Sequence, residues 1–198
     1  MIKRFFDLLC VIPGIILLSP LFALVAVSIR LSSPGPILFR QTRVGRYGRL
    51  FRICKFRTMK PRENGAGPVI TVDGDNRITS IGRLLRRYKL DELPQLLNVF
   101  NGDMSLVGPR PEVPEYVAKY PEDLRAKILS VRPGITDLAS LEFRNESELL
   151  AKAKDPLRAY EEIIMPTKLR YYVQYVDKRT LWLDVQIVVR TIIAIVSS

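Results

Sequence analysis

The chain has no histidine. This absence excludes a Ser-His-Asp or Cys-His nucleophile pair, an imidazole acid or base, and a zinc or haem site with histidine ligands. Any proton transfer or metal binding must therefore use other groups, and carboxylates are the obvious candidates.

Cysteine is also scarce. Cys10 and Cys54 are the only two, lie 44 positions apart and form no CxxC motif, which opposes a thiolate metal site or a redox dithiol. Such usage is typical of a reduced environment that faces the cytoplasm.

Basic residues are abundant and unevenly placed. The 198 residues carry a formal net charge of +11; residues 1–90 hold 17 Lys and Arg against four Asp and Glu, whereas residues 91–198 hold 14 against 16. A hydrophobic content of 47% suffices for one compact domain with an appended segment. The basic first half indicates an anionic partner, which could be nucleic acid, a phospholipid surface or a phosphorylated substrate.

The N-terminal segment is strongly apolar. Residues 8–29 form a run of 22 uncharged residues, which as a helix measures about 33 Å and suffices for the hydrocarbon core of a bilayer. The run is longer than that of a cleaved signal peptide, and several arginines follow it closely. We therefore predict a membrane helix over residues 1–31 and a separate folded domain over residues 32–198.

Ser19 and Pro20 lie near the middle of this helix. Pro20 removes one helical hydrogen bond and clashes with the carbonyl of Ile16, so we expect a break there, where the Ser19 hydroxyl can bond a freed backbone group. Basic residues at both ends favour a re-entrant helix with both ends on the cytoplasmic side. A kinked single span is the alternative, and the residues alone leave both open.

A cluster of breaker residues at 32–36 precedes two predicted strands, over 37–41 and 50–58, which would form a hairpin. On the second strand Lys55 and Arg57 share one face, so both could hold the same anion. A solvated or lipid-facing basic strand explains the same spacing equally well.

Apolar spacing predicts a helix over residues 81–90, with Arg86 on another face. Directly afterwards, Asp91 can cap a second helix that has Pro94 in its first turn and stops near Gly102. Acidic residues would thus lie at a helix N-terminus, with an arginine one turn upstream.

Asp91 and Glu92 are the candidate catalytic carboxylates. At a helix N-terminus, where free amides and arginines bind phosphate oxygens, an Asp can attack phosphorus and an adjacent Glu can hold a divalent metal. The alternative is a capping Asp beside a solvated Glu. Downstream, Pro109 and Pro111 restrict the backbone around Arg110, which holds this cation in place.

Together these motifs resemble the bacterial sugar transferase family, in the minimal form of the monotopic polyprenyl-phosphate phosphoglycosyl transferases that begin glycoconjugate assembly. Several of the motifs are weak singly, but their order along the chain is specific. The matching segments are SPGP (33–36), FRQ (39–41), Gly45, KFRTM (55–59), Arg86, LDELPQL (90–96), NV (98–99), GDMSLVGPRP (102–111) and VRPGIT (131–136).

The resemblance implies an Mg²⁺-dependent enzyme that transfers a phospho-sugar from a UDP-sugar to undecaprenyl phosphate and releases UMP. Asp91 matches the nucleophile, which carries the phospho-sugar as an acyl phosphate, and Glu92 matches its Mg²⁺-associated partner, so both are candidate metal ligands. Arg86 and Arg110 match phosphate-contacting residues, and Lys55 is a weaker match for a nearby cationic contact.

The resemblance also implies fold and location. Ser19-Pro20 matches the break that makes the family's membrane helix re-entrant. We therefore expect an α+β, mainly α fold with that helix over residues 1–31, a small β-hairpin and interfacial amphipathic helices. Residues 32–198 would form a cytoplasmic catalytic domain at the membrane interface, on the cytoplasmic face of the bacterial inner membrane. Residues 180–196, apolar but interrupted by Asp184, are predicted to form one interfacial helix. Membrane phospholipid is an expected partner, nucleic acid is not, and a homodimer is left open.

The chain departs from the family pattern at Asp137-Leu138-Ala139-Ser140-Leu141-Glu142-Phe143 and returns to it at Arg144-Asn145. We expect sugar or nucleotide selectivity in this stretch, so the donor and the glycan pathway stay open. The alternative function is a membrane-tethered module that binds nucleic acid or anionic lipid through the basic hairpin. Such a module has no need of Asp91 and Glu92 between two arginines.

Overall fold

The computed structural model describes residues 2–60, 75–143 and 146–197. Within these ranges the fold is mainly helical, with ten α-helices and two small two-stranded sheets. This agrees with the α+β, mainly α class expected from the sequence. The Arg144-Asn145 pair lies outside the described residues.

The N-terminal helix α1 spans Ile2–Ser32 and, within the described ranges, is the one helix that is long and apolar enough to cross a membrane. The predicted break does not interrupt it, since the helix continues through Pro20. Pro20 has no N–H to offer the Ile16 carbonyl, and the Ser19 hydroxyl donates to that carbonyl instead, over 2.7 Å.

The predicted hairpin is confirmed. Strands β1 (Leu38–Val44) and β2 (Leu50–Phe56) pair in antiparallel register. Helix α2 (Ser80–Arg87) follows, with the Thr79 hydroxyl accepting a hydrogen bond from the Gly82 amide at its N-terminus. Helix α3 spans Gln95–Asn101 and ends at Gly102, close to the predicted position.

The second half of the chain is built of short elements around two longer helices, α9 and α10. They are, in order, β3 (Ser105–Val107), α4 (Pro114–Ala118), α5 (Glu122–Ile128), β4 (Gly134–Thr136), α6 (Leu138–Glu142), α7 (Glu146–Ala151), α8 (Pro156–Ala159), a π-helical turn (Tyr160–Ile164), α9 (Met165–Lys178) and α10 (Leu181–Val196). The largest apolar core includes Tyr116 of α4, Ile128 of α5 and Tyr172 of α9.

Strands β3 and β4 form a parallel pair in which Ser105 lies opposite Gly134. The backbones approach so closely that a Cβ on Gly134 would lie 2.1 Å from the Gly108 nitrogen. Parallel pairing brings the carboxyl ends of both strands to the same edge. The loop that carries Arg110 starts at this edge, directly after β3.

Both ends of α1 dock on the rest of the chain. Near its start, Asp7 is buried and accepts a hydrogen bond from the Leu106 amide over 3.1 Å. Near its end, Ile29 is buried against Phe56 of β2. Between these contacts the outer face is open, and Leu17 is 80% exposed.

The packing of helix α10 explains why the charged Asp184 interrupts its apolar run. Asp184 is buried and accepts hydrogen bonds from Lys3 at 2.6 Å and from the Tyr175 hydroxyl at 2.7 Å. Trp182 on the same helix is 70% exposed. The predicted helix is thus confirmed, and its place at a membrane interface stays a prediction.

Candidate active site

Asp91 and Glu92 lie on a short 3₁₀ turn that joins α2 to α3. Lys89 ends α2 by adopting a left-handed backbone conformation, with φ 54°. The N-cap of α3 is Pro94, so the predicted capping role of Asp91 is wrong. The carboxylate of Asp91 is consequently not used to close a helix terminus.

Glu92 lies between two cations. Its Oε1 accepts a hydrogen bond from the Lys55 ammonium at 2.8 Å. Arg110 donates to both carboxylate oxygens, with Nη1 at 3.1 Å from Oε2 and Nη2 on Oε1. The strand β2, the loop after β3 and the turn before α3 therefore meet at a single carboxylate.

The loop of Arg110 is held from the hairpin. Arg43 on β1 donates to the Pro111 carbonyl at 3.1 Å and to the Glu112 carboxylate at 3.2 Å. The Val44 amide also donates to the Glu112 carbonyl, over 3.0 Å. These bonds, with the prolines that flank Arg110, fix the backbone that presents its guanidinium.

Asp91 is buried, at 8% exposure. No hydrogen bond or ion pair of its carboxylate is found within the described ranges, although Lys55 and Arg86 are near enough to act on it through space. Burial, followed by the negative charge of Glu92, raises the pKa of Asp91 above its usual value. Because no donor in the described ranges is bonded to them, the carboxylate oxygens of Asp91 remain available to an incoming electrophile.

Glu92 has the opposite electrostatic character. Burial alone would raise the pKa of Glu92, but the charges of Arg110 and Lys55 outweigh burial and hold it well below the usual value. Adjacent carboxylates with pKa values moved in opposite directions are typical of sites where two acids have different roles.

Arg86 lies on the α2 side of the pair. Its Nε donates to the Thr58 hydroxyl at 2.9 Å. Burial lowers the pKa of Arg86, and the negative charge of Asp91 opposes this only in part. Its Nη atoms make no hydrogen bond to the residues that the structure describes. They are therefore free to take a phosphate oxygen.

Arg57 does not join the cluster. It lies one residue beyond the end of β2, is buried, and donates to the carbonyls of Ser33 and Pro34, each at 2.7 Å. The predicted convergence of Lys55 and Arg57 on one anion fails, because Lys55 donates to Glu92 whereas the guanidinium of Arg57 is taken by backbone carbonyls. Arg57 instead fastens the segment that follows α1.

The carboxylates that a magnesium ion could use here are those of Asp91 and of Glu92, whose oxygens already accept from Lys55 and Arg110. Across the described ranges no cluster of three or more His, Cys, Asp or Glu could hold a metal by itself. Mg²⁺ is commonly held by one or two carboxylates plus substrate phosphates, and the free carboxylate of Asp91 beside Glu92 matches that pattern. These two residues would hold the ion once a diphosphate is present.

The segment 137–143, which departs from the family pattern, has a structural role. Asp137 is buried and caps α6, accepting hydrogen bonds from the Ser140 amide at 2.9 Å and the Ser140 hydroxyl at 2.6 Å. It follows β4 directly, next to the loop of Arg110, whose charge acts on it. The proposed link of this stretch to donor selectivity stays a prediction.

Three polar residues near the site, the half-buried Arg43 and the buried Gln95 and Asn98, were given no role by the sequence analysis, although the last two lie in its matched segments. Arg43 was one basic residue among many, and nothing in the pattern singled it out. Asn98 and Gln95 lie on the buried face of α3, and the signal that could have found them is an amide among apolar neighbours. Neither amide atom of Gln95 has a hydrogen-bond partner in the described part of the chain.

Three named relatives align with nearly the whole of this chain. A UDP-glucose:undecaprenyl-phosphate glucose-1-phosphate transferase from Caulobacter vibrioides is 40% identical, over 96% of this chain and 68% of the relative. A UDP-N-acetylgalactosamine-undecaprenyl-phosphate N-acetylgalactosaminephosphotransferase from Aeromonas hydrophila is 39% identical, over 96% of this chain and 43% of the relative. An Escherichia coli UDP-glucose:undecaprenyl-phosphate glucose-1-phosphate transferase is 35% identical, over 97% and 39%.

The chain thus spans less than half the length of two of these relatives. The family model described as "Bacterial sugar transferase" matches residues 1–198. With the match extending over all of its residues, the chain belongs to the bacterial sugar transferase family.

Proposed function

We propose that this protein transfers a sugar 1-phosphate from a UDP-sugar to undecaprenyl phosphate and releases UMP. The observation that carries the proposal is the cluster in which Glu92 bridges Lys55 and Arg110, beside the carboxylate of Asp91, which has no bonded partner among the described residues. The names of the relatives supply the substrate classes.

In the first step a carboxylate oxygen of Asp91 attacks the β-phosphorus of the UDP-sugar. The bond from that phosphorus to the bridging oxygen breaks, UMP leaves with the electron pair, and the phospho-sugar stays on Asp91 as an acyl phosphate. No base is needed, because an ionised carboxylate has no proton to lose. This removes the need for the imidazole that the sequence lacks.

In the second step a phosphate oxygen of undecaprenyl phosphate attacks the phosphorus of the acyl phosphate. The bond to Asp91 breaks, the carboxylate is regenerated, and undecaprenyl-diphospho-sugar is the product. Arg86 and Arg110 hold the phosphate oxygens, and Lys55 adds positive charge nearby, because phosphoryl transfer depends on positioning and charge neutralisation.

A bound Mg²⁺ supplies further neutralisation of the diphosphate. Its ligands on this chain would be Glu92 and Asp91. Glu92 is suited to the task, since the charges of Arg110 and Lys55 hold its pKa well below the usual value and so favour the ionised form. The hydrogen bonds from Lys55 and Arg110 also restrict the orientation of the Glu92 carboxylate.

Two observations oppose the alternative function, a membrane-tethered module that binds nucleic acid or anionic lipid. The comparisons find sugar-phosphate transferases along nearly the whole chain. Two basic side chains of the hairpin region, Lys55 and Arg57, are committed to contacts inside the protein, so they do not form an open basic surface.

The direct test incubates purified protein with Mg²⁺, undecaprenyl phosphate and a panel of UDP-sugars, and follows UMP. We expect release with at least one donor, and its loss in Asp91→Asn. Asp177→Asn is the matched control, since Asp177 pairs with Lys127 at the surface. Absence of UMP with every donor, or full activity of Asp91→Asn, would contradict the proposal.

We also propose that α1 is re-entrant, with both ends on the cytoplasmic face of the inner membrane. The support is that Asp7 and Ile29, near opposite ends of α1, contact the same folded unit. A span that crossed the bilayer would place one of those contacts on the far side. Pro20, in the middle of α1, lies in its exposed stretch.

Single-cysteine labelling tests this topology. In a Cys10→Ser, Cys54→Ser background, we expect Ile2→Cys and Leu31→Cys both to resist an impermeant thiol reagent in intact spheroplasts and to react after lysis. Reaction of either position before lysis would show a crossing helix.

A further inference from the structure

The outer edge of the hairpin is closed by a side chain. β1 and β2 form a two-stranded sheet, so within the described ranges the edge of β2 turned away from β1 has no strand beside it. Asn98 of α3 occupies that edge. Its Oδ1 accepts a hydrogen bond from the Cys54 amide, and its Nδ2 donates to the Arg52 carbonyl, both at 2.9 Å. The carboxamide thus does what a peptide group of a third strand would do.

Asn98 is itself held firmly. It is 3% exposed, and its Nδ2 also donates to Asp103 at 3.3 Å. Its backbone carbonyl accepts from the amides of Asp103 and Met104 at 3.0 and 3.2 Å, in the turn that leads from α3 to β3. One residue therefore joins β2, α3 and the approach to β3.

The position of this clamp matters for the charged cluster. Lys55 directly follows Cys54, which Asn98 holds through its amide. Glu92 lies in the continuous turn and helix that carry Asn98. The clamp therefore fixes the two chain segments whose side chains meet in the 2.8 Å contact between Lys55 and Glu92.

We infer that Asn98 is a positioning residue, which sets Lys55 against Glu92 by locking α3 to the open edge of β2. The inference rests on the proposed function for its catalytic meaning. An apolar residue would fill the same buried face of α3, but only an amide fixes the register along a strand edge, through one donor and one acceptor. A displacement of about 1 Å in such a site can cost about a hundredfold in rate.

A double-mutant cycle separates positioning from general stability. We expect Asn98→Ala to lower the kcat of UMP release by about tenfold or more with little change in KM. In a Lys55→Met background the same change should cost less than about twofold, because the contact it aligns is already gone. Equal losses in both backgrounds would overturn the inference.

The matched control is Tyr175→Phe, which removes a buried hydroxyl that donates to Asp184 and to the Val107 carbonyl but to neither Lys55 nor Glu92. Its effect should be the same with Lys55 and with Met at that position. Should Asn98→Ala fail to fold, Asn98→Asp takes its place in the cycle. It keeps the bond to the Cys54 amide and turns the donor to Arg52 into a repelling oxygen, so the same dependence on Lys55 is expected.

A second readout does not depend on activity. A zero-length carbodiimide should join Lys55 to Glu92 in the wild type, and mass spectrometry should show this cross-link lost in Asn98→Ala. The Lys127–Asp177 cross-link, from a surface pair at 2.8 Å, should persist. An inactive wild type that forms the Lys55–Glu92 cross-link would defeat the proposed function alone. A cross-link that survives in Asn98→Ala would defeat the positioning role.

Discussion

At the scale of single residues, the two carboxylates of the site differ in what surrounds them. Glu92 is neutralised by Arg110 and Lys55, whereas Asp91 is buried without a direct partner in the described ranges. A nucleophile that is desolvated and unpaired reacts more readily than one held in an ion pair. This contrast supports the proposed roles, in which Asp91 is the nucleophile and Glu92 is the partner that would hold the metal.

Arg110 acts through the shape of its guanidinium, since both Nη atoms donate to Glu92. Arg110→Lys keeps the charge and loses the paired geometry, so we expect kcat/KM for UMP release to fall by about tenfold to a hundredfold. Steady-state kinetics would measure this, with Arg158→Lys, at an exposed pair with Glu162, as the control. Unchanged kinetics in Arg110→Lys would mean that charge alone is required.

At Gln95 we expect a substitution to raise stability. Its buried amide atoms have no partner among the described residues, and an unsatisfied buried polar group costs about 1–3 kcal/mol. Gln95→Met conserves volume and removes the polar atoms, so we expect the melting temperature in detergent to rise by a few degrees. A fall in melting temperature would instead indicate that the amide is bonded in solution.

At the scale of elements, the sequence allowed the hairpin, α2, α3 and α10 to be predicted, because each has a local pattern or breaker residue of its own. The parallel pair β3–β4 could not be predicted, since strands of three residues have no usable periodicity and their partners lie far apart in the chain. The position of Asp91 was misjudged because Lys89 adopts a left-handed conformation without the glycine that usually marks one.

The β3–β4 pair also gives an element-scale prediction. A methyl group on Gly134 would lie 2.1 Å from the Gly108 nitrogen, so Gly134→Ala must separate the strands and shift the loop of Arg110. We expect loss of UMP release and a melting temperature lower by many degrees. Gly14→Ala is the control, because nothing lies within 4 Å of the added atom. Equal stability of the two variants would contradict the close approach.

At the scale of the whole molecule, α1 is tied to the folded unit by polar contacts as well as by apolar packing. Lys3 and Tyr175 both donate to the buried Asp184, and Asp7 accepts from Leu106. The apolar run predicted a membrane helix, but only the folded chain shows that both ends of this helix contact the same folded unit. Composition cannot indicate this, because the polar partners of the first end lie 99 and 181 positions away along the chain.

Removing the carboxylate of Asp184 should loosen the start of α1, because Lys3 and Tyr175 lose their common acceptor. We expect Asp184→Asn to lower the melting temperature by several degrees and to speed cleavage near Lys3 by trypsin in detergent. Asp155→Asn, at the exposed start of α8, is the control. Unchanged cleavage would indicate that apolar packing alone holds this end.

The account depends most on a covalent intermediate at Asp91. Protein incubated with Mg²⁺ and its UDP-sugar, without undecaprenyl phosphate, should release UMP in proportion to enzyme. Mass spectrometry of its peptides should then find the added mass of a sugar phosphate on Asp91, which undecaprenyl phosphate removes. UMP release only when both substrates are present, with no adduct on Asp91, would contradict the mechanism.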